Sequence, residues 1–230
     1  MTAQNLMNPK QRVAVHTANL VEADMIVGLG TGSTANFFIE ALAKRNKLEH
    51  LNVTTVSSSV ISANKAREAG LPVVSIDLLN YLDMYVDGAD EVTAELTLLK
   101  GRGQDLVREK LLASAADQFY VLVDESKLVD HIGQNFPIPV EVVPDAWQLV
   151  LAQLKHQGGH GELRMNAAGD NVAFTAHGSL VLDMKFDHID SLELTMILDT
   201  IPGVVEHGIF SELATAVFIG GDSDVEEHWR

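Results

Sequence analysis

The sequence predicts an α/β protein: a parallel sheet with helices on both faces, and a smaller α+β lobe inserted before the chain returns to that sheet. Two observations carry this. Apolar strand-like runs alternate with helix-like periods from residue 9 to residue 124, and such alternation is the signature of parallel strands joined by helical crossovers. The pattern then breaks at "NFPIPVEVVP", where Pro137, Pro139 and Pro144 fall within eight residues. The boundaries set by this reading are 1–135 plus 206–230 for the sheet domain and 136–205 for the lobe.

The elements follow in order. Asn8 and Pro9 form a helix N-cap and first helical position, with Gln11 placed to close a capping box, and the helix runs to about Val21. "MIVGLG" is a short buried strand ending in a glycine turn. "STANFFIEALAKR" is a helix with Phe37, Phe38, Ala41 and Leu42 on its inner side. "LNVTTVSSS" is a strand, "VISANKAREAG" a helix stopped by Gly70, and "LPVVSI" and "LDMYVDG" two further strands. A helix from about Gln104 to Ala116 precedes the strand "FYVLVD". Beyond the prolines come a helix near Asp145 to His156, a glycine-rich loop "QGGHG", strands "VAFTA" and "LVLDMKF", a helix near Ser191 to Thr200, and finally "GVVEHGIF" and "AVFIGG".

Composition narrows the function. In 230 residues, 47% are hydrophobic, enough for a substantial core. A net charge of -16 argues against binding nucleic acid through its phosphates. The absence of cysteine removes disulfides, thiol nucleophiles and Cys-ligated metals. No apolar run is long enough to span a membrane, and "MTAQNLMNPKQRVAVH" lacks the plan of a signal peptide, so the expectation is a cytoplasmic protein without a membrane partner. His156 and His160 are separated by two glycines and do not form a helical ligand pair, so no metal site is expected there.

Four stretches can carry chemistry. "GLGTGST", Gly28 to Thr34, lies between a strand and a helix, where backbone N–H groups and the helix dipole favour an anion and Thr31, Ser33 and Thr34 add hydroxyls. It lacks the Gly-Lys-Ser/Thr ending of a P-loop. Ser33 stands where a dinucleotide fingerprint has its third glycine. A small phosphorylated ligand fits better than NAD, and an ordinary tight turn is the alternative. "YVDGADE" places Asp87, Asp90 and Glu91 at a strand end. Asp87 and Asp90 can ligate Mg²⁺, bind sugar hydroxyls, exchange protons, or simply cap a solvated turn. "LLKGRGQDLVREKLL" offers a loop from Lys100 to Gly103 and a helix carrying Glu109. With Leu106, Leu111 and Leu112 on the buried side, Glu109 lies near the inner edge, as a general base or as part of a surface cluster with Arg108 and Lys110. In "VDESKLVD", Lys127 follows a strand end and reaches either a crevice or solvent.

Taken together, these blocks, with "VSSSVISANKA", "FPIPVEVVP" and "IPGVVEHGIF", resemble ribose-5-phosphate isomerases of type A in order and over nearly the full length. The resemblance implies a Rossmann-like parallel sheet domain with an inserted ferredoxin-like α+β lobe. It also implies interconversion of D-ribose 5-phosphate and D-ribulose 5-phosphate in the non-oxidative pentose phosphate pathway, without metal or organic cofactor, in a homodimer or homotetramer. Carried over by position, Glu109 is the general acid/base, while Asp87, Asp90 and Lys100 stand at the reacting end of the sugar. The substrate-binding set is Thr31, Gly32, Ser33, Thr34, Asp87, Gly88, Ala89, Asp90, Lys100, Gly101, Arg102, Gly103 and Lys127, with Lys10 assisting at the phosphate. The chain departs from the family pattern at Arg102, where a glycine is usual, and at Gln104 and Asp105, where small residues are usual. Arg102 is tolerated if its φ is negative and strains the loop if it is positive. A non-catalytic sugar-phosphate sensor and an acyl-CoA transferase are the alternatives. The first would bind ligand without exchanging the C2 proton, and the second would need room for a nucleotide.

Overall fold

The computed structural model describes residues 7–187 and 189–230. By Cα proximity the chain divides into two units. One runs to Ala89 and takes up Arg108–Leu128 and Leu213–Arg230; the other comprises Asp90–Val107 and Val129–Glu212.

The first unit begins with α1 (Pro9–Ala18), which has the expected capping box: the Asn8 side chain accepts from Gln11 N–H and the Gln11 side chain from Asn8 N–H. It continues through β1 (Ile26–Leu29), α2 (Ser33–Glu49), β2 (Thr54–Ser57), α3 (Val60–Glu68) and β3 (Leu82–Asp87). In the second unit lie β4 (Glu91–Val92) and β5 (Leu98–Leu99). Helix α4 (Leu106–Ala115) begins in the second unit and ends in the first, where it leads into β6 (Ala116–Asp124). The second unit resumes with β7 (Ile138–Val142), α5 (Trp147–His156), β8 (Gly159–Leu163), β9 (Leu180–Phe186), α6 (Ser191–Leu198), β10 (Val204–His207) and β11 (Ile209–Phe210). The first unit closes with β12 (Ala216–Gly220) and β13 (Val225–Trp229).

The first unit's sheet has the order β13-β12-β6-β3-β1-β2, parallel throughout except for the edge hairpin β12–β13. Strand side chains alternate between faces. Val27 and Leu29, Met84 and Val86, Tyr120 and Leu122, and Ala216 and Phe218 therefore share one face, where they form a core with Val13, Ala14, Phe38, Ile39 and Leu42 of α1 and α2. The opposite parity carries Gly28, Tyr85, Asp87 and Phe119, and the Tyr85 and Phe119 rings stack at 5.0 Å. This is a Rossmann-like α/β sheet with an inserted lobe.

The second unit holds the antiparallel sheet β10-β7-β9-β8 and the small sheet β11-β5-β4. Ile138, Val140 and Val142 of β7 and Leu180, Leu182 and Met184 of β9 pack on Val150 and Leu154 of α5 and on Leu194 and Leu198 of α6. The unit boundaries differ from the expected 1–135 plus 206–230 and 136–205: segments 90–107, 129–135 and 206–212 also fall in the second unit. Segment 90–107 belongs to the second unit because β5 pairs with β11 and Lys100 N–H donates to Gly208 O at 2.8 Å.

Three local readings need correction. "QGGHG" is not all loop, since Gly159, His160 and Gly161 open strand β8 and pair with β9. A Cβ at Gly159 would stand 2.5 Å from the Phe186 ring, so packing against the neighbouring strand selects this glycine rather than a turn. "LPVVSI" makes only a bridge from Val73 to Thr55 before a 3₁₀ turn at Ile76–Leu78, and "VAFTA" contributes only isolated bridges. No helix among the described residues is long and apolar enough to cross a membrane.

Candidate active site

In the first unit the site is built at the carboxyl ends of β1 and β3. Gly28 lies opposite Tyr85 in the parallel register, and a Cβ there would approach the Tyr85 ring to 2.7 Å. A Cβ on Gly30 would overlap the Asp87 carboxylate. The first two glycines of "GLGTGST" thus admit two side chains of β3. Asp87 is 1% exposed, and among the donors to it are Tyr85 Oη to Oδ2 at 2.6 Å and the N–H groups of Gly88 and Thr31 to Oδ1 at 2.8 and 3.0 Å. Neither Tyr85 nor this bond was anticipated from sequence, although Tyr85 and Asp87 are two apart in a strand and must share a face.

The Thr31 hydroxyl faces inward. It lies 3.0, 2.7 and 3.0 Å from the hydroxyls of Ser58, Ser59 and Ser62, and Ser62 donates to Gly30 O at 2.7 Å. The serines of "VSSSVIS" therefore buttress the glycine turn. Gly32 caps α2 without a side-chain bond to the first-turn N–H groups, Gly32 and Ser33 are exposed, and Thr34 is half-buried. Lys10 Nζ donates to Ser33 Oγ at 3.1 Å. A lysine ammonium thus stands beside the uncapped N-terminus of a 17-residue helix, two independent attractions for an anion.

Glu109 is 6% exposed on α4, in line with Leu106 and Leu112, which are 1% and 0% exposed. The expected buried stripe is corrected at Leu111, which is 53% exposed; Glu109 occupies the inward position instead. Burial raises the Tyr85 hydroxyl well above its ordinary 10.0, and the charges of Asp87 and then Glu109 push in the same direction. Tyr85 therefore stays a proton donor to Asp87 at neutral pH. Lys127 is half-buried in a 3₁₀ turn, Glu125–Lys127, that follows β6.

The second unit supplies the remaining candidates. Asp90 N–H donates to Leu99 O at 2.8 Å. Glu91, 0% exposed, is structural: its carboxylate accepts from Gly133, Asn135 and Phe136 N–H at 2.6, 2.6 and 2.9 Å. Lys100 is 4% exposed, with Nζ 5.7 Å from the centre of the Phe210 ring. Gly101 has φ +86°, a conformation that a side chain would strain.

The family model for ribose 5-phosphate isomerase A (phosphoriboisomerase A) matches residues 54–224. The chain belongs to this family. It is 43% identical over 230 residues to the ribose-5-phosphate isomerase A of Thermococcus kodakarensis, covering 98% of this chain and 100% of that one. With the protein of that name from Thermosynechococcus vestitus it shares 45% over 213 residues, covering 92% and 90%. Among solved structures, ribose 5-phosphate isomerase A of Methanocaldococcus jannaschii superposes with a TM-score of 0.91 at 37% identity, covering 96% of this chain and 98% of that one. A D-ribose-5-phosphate isomerase in complex with phospho-erythronic acid superposes with a TM-score of 0.92 at 39% identity, covering 97% and 100%.

The departure from the family pattern at Arg102 is accommodated. Positive φ among the described non-glycine residues occurs at Asp24, His50, Asn52, Leu96 and Glu212, so Arg102 is unstrained. Its guanidinium carbon lies 3.8 Å from the centre of the Phe136 ring, and Nη1 lies 3.7 Å from Asp90 Oδ1. Gln104 remains in the loop, its carbonyl accepting from Ala176 N–H at 3.3 Å. Asp105 directly precedes α4, where a carboxylate suits the helix dipole. The sequence offered no sign of Phe136 or of Arg164, whose side chain binds this loop from 61 to 63 residues away.

Proposed function

We propose that this protein interconverts D-ribose 5-phosphate and D-ribulose 5-phosphate through an enediolate, with Glu109 carrying the proton between C2 and C1. The observation that carries the reading is the buried carboxyl of Glu109, inward on α4, whose charge acts on the Tyr85 hydroxyl. Its membership of an isomerase family supports the same chemistry.

The phosphate is assigned to the α2 N-terminus, with the N–H groups of Gly32, Ser33 and Thr34, the hydroxyls of Ser33 and Thr34 and the ammonium of Lys10; Thr31 takes part through its turn. Lys127 adds a second cation. Glu109 removes the C2 proton. The C–H electron pair forms the C1–C2 double bond, and the aldehyde oxygen becomes the enediolate oxygen. Lys100 and the amides of the Gly101–Gly103 loop stabilise that charge. Asp87 passes the hydroxyl proton from O2 to O1, Asp90 binds a sugar hydroxyl, and Gly88 and Ala89 shape the turn between them. Glu109 then returns its proton to C1, leaving the carbonyl at C2. In this reading carboxyl groups make every proton transfer, and neither metal nor organic cofactor takes part. The setting is the pentose phosphate pathway in the cytoplasm, in a homodimer or homotetramer without nucleic-acid or membrane partners.

A coupled assay of ribulose 5-phosphate formation, run with and without EDTA, tests the proposal. Equal rates in both are expected. Loss of activity in EDTA defeats the cofactor-free mechanism, and absence of activity in both defeats the assignment.

A further inference from the structure

Arg164 follows β8 and belongs to none of the four stretches that carry the assigned chemistry. Its main chain is fixed on both sides, with Arg164 N–H donating to Val181 O and Ala173 N–H to Arg164 O, each at 2.8 Å. Its side chain, 13% exposed, forms a fork with Asp183 of β9: Nε to Oδ2 at 2.9 Å and Nη2 to Oδ1 at 2.5 Å. The remaining nitrogen, Nη1, reaches three consecutive carbonyls, those of Gly101, Arg102 and Gly103, at 3.0, 3.2 and 2.7 Å.

Such convergence is unusual. Successive carbonyls of an extended chain point in opposite directions. Three can meet at one nitrogen only if the loop curls, which Gly101 at φ +86° allows. In a planar trans peptide each C=O opposes the following N–H. Drawing these carbonyls toward Arg164 therefore turns the N–H groups of Arg102, Gly103 and Gln104 the other way. Successive amides facing one side form a concave anion receptor. The same contact fixes the backbone just beyond Lys100.

We propose that Arg164, braced by Asp183, is a positioning residue. It sets the curl of the 101–103 loop, and with it the direction of the loop amides and the seat of Lys100. This rests on the reading of Lys100 and the loop as the enediolate partners. Lysine does not substitute, because one ammonium cannot grip both carboxylate oxygens and three carbonyls.

The test compares wild type with Arg164→Ala, Arg164→Lys and Asp183→Asn, each normalised to folded protein by circular dichroism. Arg164→Ala is expected to lower kcat about thirty-fold while changing KM less than about threefold, a loss of transition-state rather than ground-state contact. Arg164→Lys stays low, added methylguanidinium restores much of the Arg164→Ala rate, and Asp183→Asn falls between. A kcat within about twofold of wild type in folded Arg164→Ala, or no recovery with methylguanidinium, overturns the proposal. Should Arg164→Ala not fold, Asp183→Asn decides in the same way. Tryptic cleavage after the exposed Arg102 is an independent readout, expected to quicken in the variants; unchanged cleavage overturns the clamp. If wild type shows no isomerase activity, the reading of the site fails, and cleavage alone still decides whether Arg164 holds the loop.

Discussion

Asp87 shows how one residue explains several others. Its burial requires donors, since a carboxylate removed from water without hydrogen bonds is costly. Tyr85, Gly88 and Thr31 supply them, and Gly30 supplies the space. Tyr85→Phe removes the only side-chain donor among the three and is expected to lower unfolding free energy at pH 7 by about 1–3 kcal/mol, measured in urea. The same variant has a pH signature. The raised Tyr85 group keeps its proton in the fold while the unfolded chain gives it up near 10.0. The fold therefore binds more protons in alkali, and stability present below that pH is lost as pH climbs toward the folded value. Tyr85→Phe should remove up to about 1.4 kcal/mol per pH unit from that alkaline decline. An unchanged slope would show that Tyr85 does not carry it.

Among the elements, short strands and the 101–103 loop depend on contacts remote in sequence. Glu91 accepts three amides of 133–136, and Phe136 then receives the Arg102 guanidinium. Glu91→Gln places an amide NH₂ against a backbone N–H and is expected to cost about 2–3 kcal/mol in urea denaturation. A shift below about 0.5 kcal/mol would remove Glu91 from its structural role. This is where legibility ended. The alternation of β1, α2, β2, α3 and β3 was readable because each element shows its own period. The two-residue strands β4, β5 and β11 have no period at all; only their pairing defines them. Strand β8 was hidden because Gly159 and Gly161 resemble a turn, although each makes room for β9 or for the Phe186 ring that β9 carries. The helix bearing Glu109 is legible, and so is its inner face at Leu106, Leu112 and the Glu109 edge; Leu111 alone departs from the expected buried side. Periodicity alone favours burying leucine over glutamate, and at Leu111 the structure does the opposite.

At the scale of the molecule, a net charge of -16 repels an anionic substrate. On the proposed assignment, binding comes from local devices such as the α2 N-terminus, where Lys10 Nζ lies 3.1 Å from Ser33 Oγ. The motifs were legible because type and spacing sit together in short segments. The supports were not, because Arg164 and Glu91 act across long stretches of chain, which one sequence does not pair. The central claim is that Glu109 carries the proton. Its most direct test follows ribose 5-phosphate conversion in D₂O by wild type and Glu109→Gln, reading ribulose 5-phosphate and deuterium at C1 by NMR. Wild type should form product, with deuterium at C1 to the extent that the proton on Glu109 exchanges with solvent before its return, while folded Glu109→Gln should lose about 10³-fold in turnover. Turnover near the wild-type rate in Glu109→Gln would contradict the account.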